Sequence, residues 1–473
     1  MSVTEAVVDF NSLEHEIFRG CCAAGCEALK ERLKIWDDRL MKTRDRCIYR
    51  HKGLRKTVIK TVMGEVEYSR ALYERQNGDG TKSTVYLLDE AMGKAGSGFM
   101  SGLLSGQIAE AVCGGTYRRA AQSISETTGQ TISHQAAWNV IQALGRRVDA
   151  HEKAAAALAA KNKGTGTQAA EVLFEEQDGI WLHLQGRSRK QYGSSHEMKV
   201  AIAYDGARRI SKKRYELTGK VACANFESVS KFVCRKEGKI AETYCVDEIK
   251  TRILNGDGAQ WIKQSIVDES VVFQLDAFHR NKAIRQYVRD PEKQKMIFKL
   301  LYTKQIDNLL DIIETLSNSV EDEAEEEGLH TLHAYFTNNK EGLVGYHRRG
   351  LKLPEPPEGK VYRRLGAMES NVFTIIGSRM KGGRACWSID GGNNLARLLA
   401  LKHTKKLHKT IDGLTNWVLP AKYADEIIVK MPPRQIPMQV GKGYEGRHAA
   451  PFPSKPEYKW LRELGKIKPE FNL

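Results

Sequence analysis

The apolar positions Leu29, Leu33, Trp36 and Leu40 recur every three or four residues, the spacing of one buried helix face, and predict helix from the N-terminus to about residue 50. The pattern then alternates through TVIKTVMGEVEYSRALYE, as in a short hairpin. The helical period returns in two pieces across SGLLSGQIAEAVCGGTYRRAAQSISETTGQTISHQAAWNVIQALGRRV. Thr116 is placed to cap the first helix, Gly129 to end it and Ser133 to cap the second. Ala120, Ala121 and Ile124 would then face Ile132, Ala136 and Val140. Two short helices with a tight glycine turn are the grammar of a helix-turn-helix, which a plain helical hairpin shares. The residues it would present to a major groove are Ser133, His134, Gln135, Trp138 and Asn139.

AAAALAAKNKGTGTQAAE (154–171) loses amphipathic contrast, breaks at Gly164 and Gly166, and reads as a linker. Beyond it the period changes to two. EVLFEEQDGIWLHLQ, HEMKVAIAYDGARR and RYELTGKVACANF read as strands, and VDEIKTRILNGDGAQWIKQSI and VVFQLDAFHRNKAI each run from a strand into a helix. Strands followed by strand–helix units predict an α+β or α/β core. Residues 281–360 turn helical and include the acidic run EDEAEEE (321–327), read as a solvated helix face. GAMESNVFTIIGSRM, read as one helix, resumes the core before a basic tail. The organisation is thus a basic helical and hairpin region (1–100), a helix-turn-helix (101–153), a linker (154–171), a core in two parts (172–280 and 361–473, the latter with the tail), and a helical insertion (281–360) between those parts.

Composition adds a partner class. A formal charge of +16 and a pI near 9.3 favour a polyanion, nucleic acid before an anionic membrane. From Arg39 to Lys60 nine Lys or Arg face the single acid Asp45, a solvated basic face or a phosphate-contacting one. A membrane span would need about 18 consecutive apolar residues, and the sequence has no such run; nor does its start read as a secretory signal. The nine cysteines lack disulfide-framework spacing and point to a reducing cytoplasm. Cys22, Cys26, Cys47 and His51 could make a zinc set, but the helix read between the two pairs would hold them apart, so ordinary thiols are the simpler reading.

The candidate carboxylates are Asp178, Asp205, Asp257, Asp276, Glu369 and Asp390. Phosphodiester chemistry requires acids on separate elements that converge on divalent cations. Asp178 lies inside a strand with no cap to serve, Asp257 ends a strand between two glycines in RILNGDGAQWIKQSI, and Glu369 sits on a helix. Strand, strand end and helix are the positions an RNase H-like nuclease core uses. Asp257 also has a plain reading as turn punctuation. Asp205 and Asp390 read as turn residues ahead of their glycines, and Trp261 and Trp387 as core.

QDGIWL, GDGAQWIK, LDAFHRNKAI and GAMESNVFTIIGSRMKGGRACWS, in this order, resemble bacterial insertion-sequence transposases of the Lre-type family, within the Mutator-like and hAT-like DDE enzymes. The resemblance extends over nearly the whole chain, including IYRHKGLRKTVIKTVMGEVEYSRALYE. It implies an RNase H-like catalytic core interrupted by a mostly helical insertion, with Asp178, Asp257 and Glu369 as metal-binding catalytic acids. It also implies a [C/D]-x-x-H pair at Asp276 and His279. Two Mg²⁺ ions, replaceable by Mn²⁺, would serve cleavage and strand transfer. The implied partners are double-stranded DNA, as element ends and target, and further copies of the chain in a homodimeric or larger synaptic complex at the bacterial nucleoid; no membrane is implied. Arg379, Lys381 and Arg384 would contact phosphate or form a solvated cluster. Asp276 remains an alternative second acid, and His279 an ordinary half-buried histidine at a helix start. Competing functions are a helix-turn-helix regulator without catalysis and another RNase H-like nuclease, such as a junction resolvase.

Overall fold

The computed structural model describes residues 9–92, 100–128 and 130–415. Gly129 and the basic tail beyond 415 lie outside the described residues. The described chain divides into two compact units, the first of residues up to 112, 116–140 and 411 onward, the second of residues 113–115 and 141–410.

The first unit begins with α1 (Phe10–Thr43), capped by Asp9 through the Ser12 N–H at 3.1 Å. It shortens the helix read to residue 50, because Tyr49 already starts a strand. β1 (Tyr49–Lys60), β2 (Glu65–Gln76) and β3 (Lys82–Val85) form an antiparallel sheet in that order, followed by α2 (Leu87–Ala91). Leu33 of α1 packs with Ile59, Val66, Tyr68 and Leu88, and Leu29, Trp36 and Leu40 line the same cluster. The helical period in the sequence was therefore that of a face laid on a sheet. Next come α3 (Gly102–Gly114), α4 (Tyr117–Thr128) and α5 (His134–Ala159). Thr116 Oγ1 accepts from the Arg119 N–H at 3.2 Å and Ser133 Oγ from that of Ala136 at 3.0 Å, so both helix starts are capped.

α5 corrects two expectations. It has 26 residues, so the second helix is long, and it absorbs 154–159 of the segment read as linker. The alanine run has no amphipathic contrast, but alanine has the highest helix propensity and needs none to continue a helix. Of the residues read as facing the first helix, Ala136 is only partly covered, and Ala137 is the fully buried neighbour.

The second unit is built on β4 (Val172–His183), α6 (Gly186–Tyr192), β5 (Ser195–Tyr204), the small pair β6 (Ala207–Arg209) and β7 (Tyr215–Leu217), β8 (Val221–Asn225), α7 (Val229–Thr243), β9 (Thr251–Gly256), α8 (Gln260–Lys263) and β10 (Val271–Leu275). Its five-stranded sheet has the order β10-β9-β4-β5-β8. β4, β5 and β8 run antiparallel in sequence, and β9 and β10 extend the free edge of β4 in parallel. α9 (Ala277–Tyr287), α10 (Pro291–Thr303), α11 (Ile306–Ser317) and α12 (Glu323–Asn338) form the insertion, with a core of Ile284, Ile297, Leu309, Ile313, Leu332 and Phe336. The acidic run opens α12, where Asp322 caps the Ala324 and Glu325 N–H groups and the acids face the positive helix end.

The chain returns through α13 (Met368–Val372), a π turn (Phe373–Gly377) and α14 (Ser378–Met380), then α15 (Ile389–His403) and α16 (Leu407–Thr415). The segment read as one helix is thus wound wider in its middle. Among the described residues, no helix is long and apolar enough to cross a membrane.

β4 is buried from Val172 to Gln177 although it carries Glu175, Glu176 and Gln177 there. Glu175 is matched by Lys236 Nζ at 2.5 Å and Arg252 Nε at 2.6 Å, which offset the desolvation of its charge.

Candidate active site

The parallel register of β4 and β9 pairs Glu176 with Asn255. Carried two residues further, it sets Asp178 beside Asp257, where β9 has ended and the chain turns. This is the carboxyl end of the parallel strands, where open sheets leave room for ligands.

Asp178 Oδ1 accepts from the Gly179 N–H at 2.8 Å. Its carboxyl is pushed up to about 6, chiefly by burial, with the Asp257 and Glu369 charges adding to the rise and the His279 charge and the Gly179 N–H opposing it. Asp178 therefore feels groups from three other places in the fold. Asp257 follows β9 and uses Oδ1 to accept from the Ala259 N–H at 2.8 Å, an Asx turn, while its carbonyl accepts from the Tyr335 hydroxyl at 2.7 Å. It punctuates the turn and also faces the cluster. Gly258 has a φ of +87°, and a β-carbon there would come within 2.6–2.9 Å of the Asn339 side chain, so the residue is glycine on both counts. Glu369 stands exposed in the first turn of α13, just ahead of the π turn, a feature that recurs at functional sites.

His279 lies one turn into α9. Its Nδ1 is 3.1 Å from Oδ2 of Asp276. That hydrogen bond raises its pKa, burial opposes the rise, and the charges of Asp178, Asp276 and Asp257 add to it. Asp276 itself is 6% exposed, and its acceptor positions are taken. Oδ1 accepts from Asn255 at 2.9 Å, and Oδ2 from the Phe278 and His279 N–H groups, both at 3.1 Å. Burial pushes its carboxyl up, but the His279 and Asn255 hydrogen bonds outweigh that and leave it lowered. Asp276 is the α9 cap and a partner for His279, with both carboxylate oxygens engaged, whereas Asp257 uses Oδ1 for its own turn.

Among the described residues, no three His, Cys, Asp or Glu side chains stand close enough to cage a metal ion. The donor chemistry of Asp178, Asp257 and Glu369 nevertheless suits a hard divalent cation: three carboxylates whose repulsion is felt at Asp178 and which a cation would relieve.

The sequence matches the profile of the Uncharacterised protein family (UPF0236) over residues 3–412. The chain belongs to this family. It is similar to a UPF0236 protein of Caldanaerobacter subterraneus subsp. tengcongensis, 23% identical over 413 residues that span 84% of this chain and 77% of the relative. A second from that organism, whose name carries eleven locus designations, is 24% identical over 415 residues, 84% of this chain and 77% of the relative. A UPF0236 protein in the vanSb 3′ region of Streptococcus gallolyticus is 24% identical over 358 residues, 72% of this chain and 70% of the relative.

Other candidate residues of this UPF0236 protein fall in several places. Ser133, His134, Gln135, Trp138 and Asn139 are all exposed around the start of α5, with Trp138 at 41% and Gln135 Nε2 donating to Asn139 Oδ1 at 3.1 Å. Arg379 lies 5.5 Å from the centre of the Trp387 ring, while Lys381 and Arg384 are exposed in the turn after α14. Asp205 is buried and held by Thr218 at 2.6 Å and Lys360 at 2.7 Å, an anchor for the turn after β5. Asp390 lies in the first turn of α15 and not in a loop turn, because Ser388 starts that helix by capping Gly391. Trp387 is buried with its Nε1 donating to the Met380 carbonyl at 2.9 Å, and Trp261 packs edge-on against Phe232.

Cys22 and Cys26 lie on α1 with thiols pushed up by burial, opposite to the shift that favours zinc binding, and the His51 ring packs against Tyr73. The basic stretch is partly neutralised across the hairpin, where Lys52 pairs with Glu74, Lys56 with Glu67 and Lys60 with Glu65.

Sequence reasoning passed over Glu176 and Asn255, which are buried beside the cluster. The available signal was three consecutive polar residues, Glu175 to Gln177, inside an otherwise bulky strand.

Proposed function

We propose that this chain is the transposase of an insertion sequence, a DDE enzyme that binds the element's ends and cuts and joins DNA with divalent metal. The observation that carries the reading is the position of Asp178, whose carboxyl responds to Asp257, Glu369 and His279 from three other elements. Three further observations support it. The sheet order, an antiparallel trio extended by two parallel strands on the first strand's edge, supports the RNase H-like core that the reading expects. The net charge of +16 suits a nucleic-acid partner. A relative whose name carries eleven locus designations suits an element present in many copies.

In this reading Asp178, Asp257 and Glu369 would hold Mg²⁺, which when bound activates the attacking oxygen and screens the phosphate. The chain's own groups position and hold charge. His279, whose pKa Asp276 raises, donates toward the scissile phosphate from beside Asp178. The exposed face at the start of α5 reads the element end, with its polar side chains offered to base edges.

Asp178→Asn, Asp257→Asn and Glu369→Gln are each expected to abolish Mg²⁺-dependent nicking at the element's ends while leaving DNA binding nearly intact. Full cleavage by all three would sink the reading. The regulator alternative draws on the absence, among the described residues, of a ready metal cage. It predicts end binding with no nicking by the wild-type chain.

A further inference from the structure

Glu176 precedes Asp178 by two residues on β4, so both side chains leave the same face of the sheet. Glu176 is fully buried, and hydrogen-bond donors surround it. Its Oε1 accepts from the Tyr204 hydroxyl at 2.6 Å and the Ala367 N–H at 3.2 Å. Its Oε2 accepts from the Gly366 N–H at 2.9 Å, the Met368 N–H at 3.2 Å and Asn255 Nδ2 at 3.1 Å. Three successive backbone donors thus converge on one carboxylate, a turn of the chain that Gly366 permits with φ of +131°.

These are the donors at the start of α13, the helix that carries Glu369. Its N-cap residue is Ala367, which has no side-chain acceptor. A strand carboxylate from about 190 residues earlier in the chain does the capping instead. On its other side Glu176 is tied through Asn255 to Asp276, the cap of the helix that carries His279.

We propose that Glu176 is a positioning residue: by accepting from Gly366, Ala367 and Met368 it fixes the start of the Glu369 helix against the strand that carries Asp178. The role rests on the transposase reading only in giving the three acids a divalent ion to share. A glutamine substitutes only in part, because its amide nitrogen cannot accept and leaves at least one of the three backbone donors unmatched.

The test uses the full-length chain and three readouts: hydrogen exchange at residues 366–368, Mn²⁺ affinity from a titration with the metal alone, and end cleavage. In Glu176→Gln, the amides of 366–368 should exchange at least tenfold faster while β5 and β8 stay protected, and the Mn²⁺ dissociation constant should rise about tenfold, as when a group supporting a metal ligand is lost. Ala367→Pro carries the test should Glu176→Gln fail to fold. It deletes one donor where φ is −78°, which proline accepts, and should shift Mn²⁺ affinity in the same direction by less. Unchanged protection at 366–368 in Glu176→Gln would overturn the proposal. So would lost protection with unchanged Mn²⁺ affinity, and so would a wild-type chain that binds no Mn²⁺. If Mn²⁺ binding and the cap behave as expected and DNA is still not cut, the transposase reading alone fails.

Discussion

Nδ1 of His279 lies 3.1 Å from Oδ2 of Asp276, the same oxygen that caps the His279 helix. One carboxylate therefore starts α9 and favours the charged form of the imidazole near Asp178. The arrangement makes Asp276 a cap, and the proposed function assigns the cluster acid to Asp257. Asp276→Asn keeps a good capping residue and should retain measurable nicking, whereas Asp257→Asn should show none. Asp276→Ala, which removes the cap, should cost about 1 kcal/mol in stability. End-nicking assays and denaturant melts read these, and an inactive Asp276→Asn beside an active Asp257→Asn would reverse the assignment.

His279 gives a pH signature. Its pKa is raised in the folded chain, so the stability it contributes is complete below about 6.5 and is lost as pH rises through the folded value. His279→Ala should lower the melting temperature more at pH 6 than at pH 9, and should cut cleavage roughly ten- to a thousandfold per folded molecule. Unchanged specific activity would make this histidine scaffold.

Asp178 titrates with the same sign, but through a charge that the fold disfavours. Its carboxyl is pushed up to about 6, so between its ordinary value and that point the folded state holds more protons than the unfolded chain, and stability falls as pH rises. Asp178→Asn in the presence of chelator should therefore be more stable than wild type at pH 7.5, by on the order of 1–2 kcal/mol after allowing for partial exposure. The gain should vanish near pH 4. Equal melting curves at both pH values would show that the repulsion at this site is not felt.

Gly258→Ala places a β-carbon on Asn339 at a positive φ. It should cost more than about 1 kcal/mol and shift the turn that aims Asp257. Wild-type stability and nicking would show that the turn is compliant.

On full-length protein, Gln135→Ala with Asn139→Ala should remove preference for element ends over random duplex and leave the salt slope alone. Arg118→Ala with Arg119→Ala, two exposed residues at the start of α4, should lower the slope by about two. Retained preference in the first pair would move sequence reading elsewhere in the chain.

Local signals in the sequence sufficed for the mixed helix-and-sheet character and the helix starts at Thr116 and Ser133, since caps and period are carried by neighbouring residues, whereas the choice of Asp178, Asp257, Glu369 and His279 drew on short motifs and a family resemblance. The sequence also held both roles of Asp257 open, and the fold uses the residue as turn punctuation at the cluster's edge. Contacts between distant residues decided the rest. Lys60 is paired because register sets it opposite Glu65 of β2, while Lys56 and Lys52 reach Glu67 and Glu74, which stand opposite other residues of β1. Asp276 is a cap because Asn255 and the start of α9 take its oxygens. Glu176 gained its place from amides about 190 residues away, and no local pattern can announce an acceptor whose donors are supplied by the return of the chain.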